Sequence, residues 1–336
     1  MFREALFPRP PIAKDPNWDS YSYNRDWKWP SLEPSELKLA CSTKIKGRTP
    51  GPDSISQEII TRAYSIIPEY FYRLYSCLID IGYHPTSWKQ ATGAILRKPS
   101  KPDYSIPKAY RVISLLNCLG KVSERILAQR LGYLAETTEL LYPTQIGGRQ
   151  RKSAIDTALL LTDYIENTRH KKHIATALFL DIKGAFDHVA RGQLLAILAK
   201  LRLPPSLISW VSSFLRNRTL RLSFDSQIEG FSTLDTGIPQ GSPISPILFL
   251  IYIRDLFPSL GTSITSLSYM DDIALVVSST SLNKNIKILE REVSKLYSLG
   301  EELAIQFDLA KTELIHFTKA RIAREATLKL PNQELV

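Results

Sequence analysis

The spacing of hydrophobic positions changes along the chain between the helical period and short apolar runs typical of buried strands. Residues 1 to about 30 show neither pattern, are rich in Pro, Trp and Tyr, and predict an extended lead-in. Helices are predicted over Ser35–Ile45, Ser56–Leu78, Leu119–Leu134, Ser153–Thr168, Arg191–Lys200, Leu207–Leu215, Pro246–Leu256 and Asn283–Glu302. Strands are predicted over Ala94–Leu96, Arg111–Leu116, Ile174–Ile182, Leu220–Phe224, Gly230–Leu234 and Glu313–Phe317. This order predicts an α+β fold with helices packed behind a small sheet.

Two adjacent acidic residues, Asp271 and Asp272, lie between the apolar runs Ile264–Leu267 and Ile273–Val277. The pattern predicts two strands joined by a tight turn with two carboxylates at its tip. Such a placement is costly unless a cation occupies the site. A third acid, Asp181, ends an apolar strand, although a helix N-cap aspartate has the same appearance. Together the three predict a site for two Mg²⁺ ions and phosphoryl transfer, with Asp271 as the bridging ligand and a weaker contribution from Asp272.

Composition places the chain among globular proteins, because 44% of its 336 residues are hydrophobic and 23% are charged. This length suits one large domain or two smaller ones. The net charge of +10 is concentrated between Lys89 and Arg151, a segment with eleven basic residues and four acidic ones. A basic segment of this kind suits a polyanion such as nucleic acid, with a solvated surface as the alternative.

The cysteines and the longest apolar run bear on the cellular setting. The three cysteines lie far apart without a Cys-x-x-Cys spacing, which predicts a reduced, intracellular protein with no zinc site and no disulfide partner. The longest apolar run, Ile247–Ile253, is too short to span a bilayer. The N-terminal residues lack the apolar stretch of a signal peptide. We therefore expect no membrane association.

A loop rich in glycine and proline, Thr236–Pro243, lies between Asp181 and the paired acids. Two glycines and two prolines give a rigid loop whose backbone can approach a flat or charged ligand closely. Gln240 offers both a hydrogen-bond donor and an acceptor within it.

Eight sequence blocks occur in the order found in one family. Over roughly Lys46–Phe317 the chain resembles the reverse transcriptases of non-long-terminal-repeat (LINE-type) retrotransposons. The blocks are Arg48–Asp53, Trp88–Pro99, Tyr110–Leu116, Thr144–Arg149, Phe179–Asp187, Gly237–Pro243, Tyr269–Asp272 and Lys311–Glu313. Each block alone is a modest signal, and their shared order is what makes the resemblance specific.

The resemblance implies a right-hand polymerase fold with fingers and a palm of ferredoxin-like character. It implies an RNA-directed DNA polymerase that transfers nucleotides from dNTPs to a DNA primer on an RNA template. Asp181, Asp271 and Asp272 would be the palm carboxylates that hold two Mg²⁺ ions, with Mn²⁺ as an alternative ion. The sequence leaves the oligomeric state open.

The resemblance also implies nucleotide contacts. Lys98 and Arg111 would hold the triphosphate, where a guanidinium suits bidentate phosphate contact. Gln240 would contact the nucleotide or the template. Phe186 would exclude a ribose 2′-hydroxyl, with a core aromatic as the alternative interpretation. Lys311 resembles a lysine that protonates pyrophosphate, with a surface lysine as the alternative.

The chain departs from the family pattern at two positions. Val112 replaces a usual proline and Gly148 replaces a usual aromatic, and we expect both to loosen the fingers. We assign residues 1–45 to an N-terminal extension and 46–336 to fingers and palm, with a core at 79–318. The thumb is expected to be largely missing, as in an excised core or a decayed copy, which predicts low or no activity for the isolated chain.

Three alternatives stay open. Phe186 and the Tyr269–Met270 pair argue against an RNA-dependent RNA polymerase. The blocks Arg48–Asp53 and Tyr110–Leu116 favour the retrotransposon class over a group II intron-type maturase. The third alternative is a truncated, non-catalytic nucleic-acid-binding remnant. We expect a nuclear or ribonucleoprotein-associated location, with an organellar one left open.

Overall fold

The computed structural model describes residues 7, 29–42, 49–225, 227–318, 326–332 and 334–336, without the side chain of Lys108. The chain divides into two compact units. The first consists mainly of Asp15–Tyr133 and Val189–Leu248, and the second mainly of Leu134–His188 and Phe249–Val336. The predicted N-terminal lead-in and the proposed boundary near residue 45 lie outside the described residues, apart from Phe7 and residues 29–42.

Helices and strands account for most of the described chain. The α-helices are α1 (Pro34–Cys41), α2 (Gln57–Ile66), α3 (Pro68–Asp80), α4 (Cys118–Thr137), α5 (Ala154–His170), α6 (Arg191–Lys200), α7 (Pro205–Leu215), α8 (Ser245–Ile253) and α9 (Leu282–Glu302). Short 3₁₀ turns cover Thr86–Trp88, Pro107–Ala109, Arg254–Leu256 and Leu309–Lys311. The strands are β1 (Gln90–Arg97), β2 (Tyr110–Leu116), β3 (Ile174–Asp181), β4 (Arg218–Phe224), β5 (Gln227–Ile228), β6 (Ser232–Leu234), β7 (Thr265–Tyr269), β8 (Asp272–Ser279) and β9 (Glu313–Phe317).

The helices near the start of the described chain differ from the predicted ones at proline and at a helix end. The single helix predicted over Ser56–Leu78 is instead α2 and α3, because Pro68 has no N–H and begins a new helix. Ser56 caps α2 by accepting from the Ile59 amide. The helix predicted to reach Ile45 ends at Cys41, and residues 43–48 lie outside the described part.

The sheet of the first unit has the strand order β2-β1-β4-β5, and β6 also pairs with β4. β1 and β2 form an antiparallel hairpin, whereas β1 and β4 run parallel. Val112 is buried in its apolar cluster with Ala91 and Ile95. Valine therefore packs in the apolar cluster of this sheet, and the expectation that Val112 loosens the fingers stays a prediction.

A histidine lies at the centre of an aromatic cluster in the first unit. His84 is fully buried, and its ring meets those of Trp88, Trp210 and Phe214 edge-on at centroid distances of 5.7, 5.1 and 5.2 Å. Burial lowers the pKa of His84 to about 3, and the charges of Arg218 and Lys89 act in the same direction. The imidazole is therefore neutral in the folded protein.

Acid should destabilise the fold through His84. Below its ordinary pKa of 6.5 the unfolded chain binds a proton that the folded chain excludes, so stability falls as the pH decreases from about 6.5 towards 3. Between pH 7.5 and 5.5 this linkage amounts to about 1.4 kcal/mol. Urea unfolding at both pH values should show that wild type loses about this much more stability than His84→Leu. An equal loss in both proteins would contradict the assignment.

The sheet of the second unit has the order β7-β8-β3-β9, and all of its neighbouring strands are antiparallel. Helix α5 packs on one face through Leu161 and Tyr164, which contact the cluster of Ala177, Leu267, Ala274 and Val276. Helix α9 contacts β8 and β3, and the Asn285 amide donates to the Ile174 carbonyl at 2.8 Å. Strand β3 is thus held by α5 and by α9, and these contacts fix Asp181 at the end of the strand.

No helix within the described ranges is long and apolar enough to cross a membrane.

Candidate active site

The predicted acidic hairpin is present in the second unit. Strands β7 and β8 are joined at Met270 and Asp271, and Tyr269 pairs with Asp272 across the hairpin. Met270 has φ +57°, a left-handed conformation that allows the tight reversal. The turn therefore projects Asp271 at its tip and starts β8 with Asp272.

The third carboxylate lies beside this hairpin. Asp181 is the last residue of β3 and pairs with Asp272 of β8. The Ile182 amide donates to the Asp271 carbonyl at 3.0 Å, which extends the contact to the turn. The structure thus brings Asp181, Asp271 and Asp272 together, as the sequence predicts.

The negative charges of these carboxylates repel one another. Burial raises the pKa of Asp271, and the Asp181 charge raises it further, while its own backbone amide and Lys311 oppose the shift. Burial raises the pKa of Asp272 too, followed by the charges of Asp271 and Asp181. Asp271 is half-buried and Asp272 is exposed. The cluster stores like-charge repulsion that a cation would relieve.

Lys311 is a direct partner of the cluster. Its Nζ donates to Asp181 Oδ1 at 2.8 Å, and this hydrogen bond raises the pKa of Lys311. The 3₁₀ turn that carries Lys311 follows Asp308, whose amide donates to the Asp181 carbonyl at 2.8 Å. Although its side chain is 59% exposed, Lys311 has a fixed position at the carboxylates rather than a free surface one.

The acidic cluster offers a divalent cation three carboxylate groups. No group of three or more acidic, histidine or cysteine residues in the described ranges is arranged to hold a metal ion as it stands. Three adjacent carboxylates, with the pKa of Asp271 and of Asp272 raised, are nevertheless the hard oxygen ligands that Mg²⁺ binds. The residues present therefore fit such an ion, with Lys311 as the group that neutralises Asp181 in this arrangement.

Phe186 lies in the turn after β3, residues 183–188. Its ring stacks on Phe249 with a centroid distance of 5.4 Å and an interplanar angle of 26°. Phe249 is buried, whereas Phe186 is half-buried. One face of the Phe186 ring is thus fixed against the core and the rest of the ring stays accessible. This arrangement suits a rigid steric boundary better than a fully buried core aromatic.

The block Thr144–Arg149 packs against the acidic hairpin. The buried amide of Gln145 donates to the Leu250 carbonyl at 2.9 Å, and the Ile146 amide donates to Ser268 of β7 at 2.8 Å. A Cβ at Gly147 would lie 2.4 Å from the Met270 amide nitrogen. Glycine is required here because two backbones approach closely.

Gly148 belongs to the same contact. It has φ +75°, and a Cβ there would lie 2.8 Å from the Met270 sulfur. Gly148 therefore lies against Met270 of the acidic hairpin, and the expectation that it loosens the fingers stays a prediction.

Gly147→Ala should disturb the hairpin that carries Asp271. The methyl group would overlap the backbone of Tyr269 and Met270, so one strand must shift. We expect a loss of about 2 kcal/mol in unfolding free energy and at least about a ten-fold fall in any carboxylate-dependent activity. The matched control is Gly230→Ala, because a Cβ there meets nothing within 4 Å. Unfolding curves alike for both variants would contradict the proposed contact.

The first unit places two predicted phosphate ligands on one hairpin face. Arg111 pairs with Leu96, and the Lys98 amide extends the ladder by donating to the Ala109 carbonyl at 2.8 Å. Lys98 and Arg111 are therefore diagonal neighbours on the same face, a relation in which Cα atoms lie about 7–8 Å apart. Arg111 is exposed and Lys98 is half-buried.

The third nucleotide candidate, Gln240, lies along the edge of β2. Its carbonyl accepts from the Ser114 amide at 2.7 Å. Gly241 has φ +116°, and a Cβ there would lie 2.7 Å from the Ser114 carbonyl oxygen. The first unit thus brings Gln240 to the same strand as Arg111, while the acids, Phe186 and Lys311 belong to the second unit.

Sequence patterns missed the residues that hold the Gln240 loop. Glu124 on α4 accepts a hydrogen bond from Ser242, and Arg191 donates to the carbonyls of Thr236 and Gly237. Glu124 is placed among basic residues of an amphipathic helix, where an acid looks like a surface charge. No spacing marks it as buried.

A family model described as "Reverse transcriptase (RNA-dependent DNA polymerase)" matches residues 96–330. The chain is 27% identical over 271 residues to "Probable RNA-directed DNA polymerase from transposon BS" of Drosophila melanogaster, which covers 79% of this chain and 30% of that protein. It is 27% identical over 278 residues to "RNA-directed DNA polymerase from mobile element jockey" of the same organism, covering 80% and 30%. Identity to "Putative 115 kDa protein in type-1 retrotransposable element R1DM" is 29% over 311 residues, covering 91% and 29%.

The chain therefore spans less than a third of the length of these curated relatives. Among solved structures, it resembles apo telomerase from Candida tropicalis truncated from its C-terminal domain, with a TM-score of 0.51 and 13% identity. That likeness covers 74% of this chain and 55% of the telomerase chain, and it bears on the fold alone. The predicted α+β polymerase fold class with fingers and palm is confirmed.

Proposed function

Since this chain belongs to the reverse transcriptase (RNA-dependent DNA polymerase) family, we propose that it copies an RNA template into DNA by adding dNTPs to a primer 3′-hydroxyl. The predicted likeness to non-long-terminal-repeat retrotransposon enzymes is confirmed by its curated relatives. Because the chain covers only 30% of the first of these relatives, its own activity and partners are part of the proposal.

The observation that carries the proposal is the meeting of three carboxylates at neighbouring strand ends. Asp181 pairs with Asp272, and Asp271 lies at the adjoining turn. Two of the three have raised pKa values because of burial and of one another. A structural role would favour paired or neutral side chains here, whereas a catalytic role requires concentrated negative charge that binds cations.

Asp181, Asp271 and Asp272 would hold Mg²⁺, with Mn²⁺ as an alternative ion. When bound, two such ions supply activation of the 3′-hydroxyl and neutralise charge on the α-phosphate and pyrophosphate. Lys311 holds a proton firmly, since its pKa is raised by Asp181, and can donate a charge-assisted hydrogen bond to a phosphate oxygen. Its Nζ already lies 2.8 Å from Asp181 Oδ1 in this structure.

The remaining residues bind and select the nucleotide. Lys98 and Arg111, neighbours on one hairpin face, would hold the triphosphate, and Gln240 would contact the base or the template. Phe186, fixed by Phe249, would exclude the ribose 2′-hydroxyl. Within the basic segment between Lys89 and Arg151, Lys89, Lys121 and Arg125 are buried. The exposed basic residues suit the phosphate backbone of the template and primer; these are Arg97, Lys101, Arg111 and Arg151.

The test is extension of a labelled DNA primer on an RNA template with Mg²⁺, comparing dNTPs with NTPs. We expect extension with dNTPs and none with NTPs. Omission of the divalent ion and a double substitution, Asp181→Asn with Asp271→Asn, serve as controls. Binding of RNA without any extension would overturn the polymerase proposal for this chain and favour a non-catalytic nucleic-acid-binding remnant.

The proposed template and product also suggest a cellular location. A polymerase that copies an element's RNA into chromosomal DNA would work in the nucleus or within a ribonucleoprotein. Imaging of the tagged chain should show nuclear signal or signal that is sensitive to ribonuclease. Signal confined to an organelle would contradict this placement.

A further inference from the structure

The Gln240 loop is anchored at three points within the first unit. At its start, the Gly237 amide donates to the Val189 carbonyl at 3.1 Å, and Arg191 Nη2 donates to the Thr236 carbonyl at 2.9 Å. At its middle, Gln240 pairs with Ser114 of β2. The third anchor is at its end, where the Ser242 side chain is hydrogen-bonded to Glu124 of helix α4.

The third anchor is a buried hydrogen bond between side chains. Ser242 Oγ donates to Glu124 Oε2 at 2.5 Å, and it accepts from the Ile244 amide at 3.3 Å. Ser242 is 4% exposed and Glu124 is 1% exposed. The Ser242 amide also donates to the Pro239 carbonyl at 3.2 Å, which closes the turn that carries Gln240. Glu124 therefore acts on Gln240 through a single hydroxyl.

The charges around Glu124 show why an acid is tolerated at this depth. Burial raises the pKa of Glu124, while the hydrogen bond from Ser242 and the charge of Arg218 oppose the shift, as do Lys121 and Arg125. Arg218 is itself 2% exposed, and its Nη1 donates to the Phe214 carbonyl at 3.0 Å. A carboxylate in this position accepts from Ser242 more strongly than a neutral group would.

The cost of burying an acid suggests a purpose beyond packing. A buried acid held by a hydrogen bond adds little net stability compared with apolar residues of the same volume, whereas it specifies one arrangement of the groups that it holds. Here the arrangement specified is that of a loop with two glycines of positive φ, Gly237 and Gly241. Such a loop loses much conformational entropy on ordering and needs external anchors.

We propose that Glu124 is a positioning residue for nucleotide binding, which acts through Ser242 to fix the loop that presents Gln240. This inference rests on the proposed polymerase function. Helix α4, which lies outside the acidic cluster, would thereby determine how tightly the enzyme binds the incoming dNTP. The chemistry at the carboxylates does not depend on it.

The test uses Glu124→Gln, Ser242→Ala and the double substitution, in the full chain. Steady-state incorporation should show the KM for dNTP raised about ten-fold by each single change, with kcat within about three-fold of wild type. The double variant should resemble Ser242→Ala, because loss of the hydroxyl already removes the hydrogen bond that Glu124→Gln weakens. The matched control is Glu292→Gln, another fully buried acid, which binds the Gly261 amide, Arg291 and Lys295 in the second unit.

Glu292→Gln should lower the free energy of unfolding about as much as Glu124→Gln does, and it should leave the KM for dNTP unchanged. Equal KM values for the Glu124 and Glu292 variants, or additive effects of the two loop changes, would overturn the proposal. If wild type extends no primer, the polymerase function itself fails, and amide hydrogen exchange then decides the anchor. Glu124→Gln should speed exchange over residues 237–244, and Glu292→Gln should not. Unchanged exchange there would overturn the anchor as well.

Discussion

Asp271→Asn is expected to abolish dNTP incorporation, with a rate at least about 10³-fold below wild type in a primer-extension assay. Asp271 is the half-buried acid at the hairpin turn, next to the Asp181 charge, and an amide cannot replace its negative charge in binding a cation. Asp181→Asn should be as severe, because it removes a proposed metal ligand and the negative charge that pairs with Lys311.

Asp272→Asn should cause a smaller loss, since this residue is exposed whereas Asp271 is half-buried. Asp163→Asn is the matched control, because Asp163 is an exposed acid on α5 of the same unit, where its carboxylate accepts from the Asn167 amide at 3.0 Å. It should retain wild-type activity. Incorporation by Asp271→Asn within about ten-fold of wild type would contradict the assignment.

The same substitution should not lower the melting temperature. Burial and then the charges of neighbouring carboxylates raise the pKa of Asp271 and of Asp272, so removal of one charge relieves both costs in the folded state. Loss of activity with equal or higher stability is the pattern expected of a functional site. A fall in both would indicate a structural role for Asp271.

The acidic hairpin was predictable because its signals are local. Apolar runs specify β7 and β8, and the short polar stretch between them leaves room only for a turn. The end of β3 was predictable for the same reason, since an apolar run stops at Asp181. What periodicity does not contain is register, and the pairing of Asp181 with Asp272 appears only in the folded sheet.

The contacts that support these elements depend on residues distant in sequence. Gly147 reads as an ordinary loop glycine until the Met270 backbone is placed against it. Glu124 reads as a surface charge until Ser242, 118 positions away, donates to it. The break between α2 and α3 was available in the sequence, because Pro68 marks it, and apolar spacing across the proline concealed it.

Phe186→Val should relax the choice of sugar. The ring of Phe186 is fixed on one side by the buried Phe249, so its free side forms a boundary that a ribose 2′-hydroxyl would meet. A smaller side chain removes that boundary, and the preference for dNTPs over NTPs should fall by about 100-fold, equivalent to about 2.7 kcal/mol of transition-state free energy. The measurement is the ratio of kcat/KM for dATP and ATP on one primer and template.

Most of the change should come from faster NTP incorporation, because the substitution removes a clash and no contact that dNTPs require. Phe186→Leu should give an intermediate ratio, since leucine keeps part of the volume. Phe317→Val is the matched control: its ring is also half-buried, but it pairs with Ala175 near the start of β3, the opposite end from Asp181. Selectivity unchanged in Phe186→Val, or relaxed equally by Phe317→Val, would identify Phe186 as a core aromatic whose stacking on Phe249 serves stability alone.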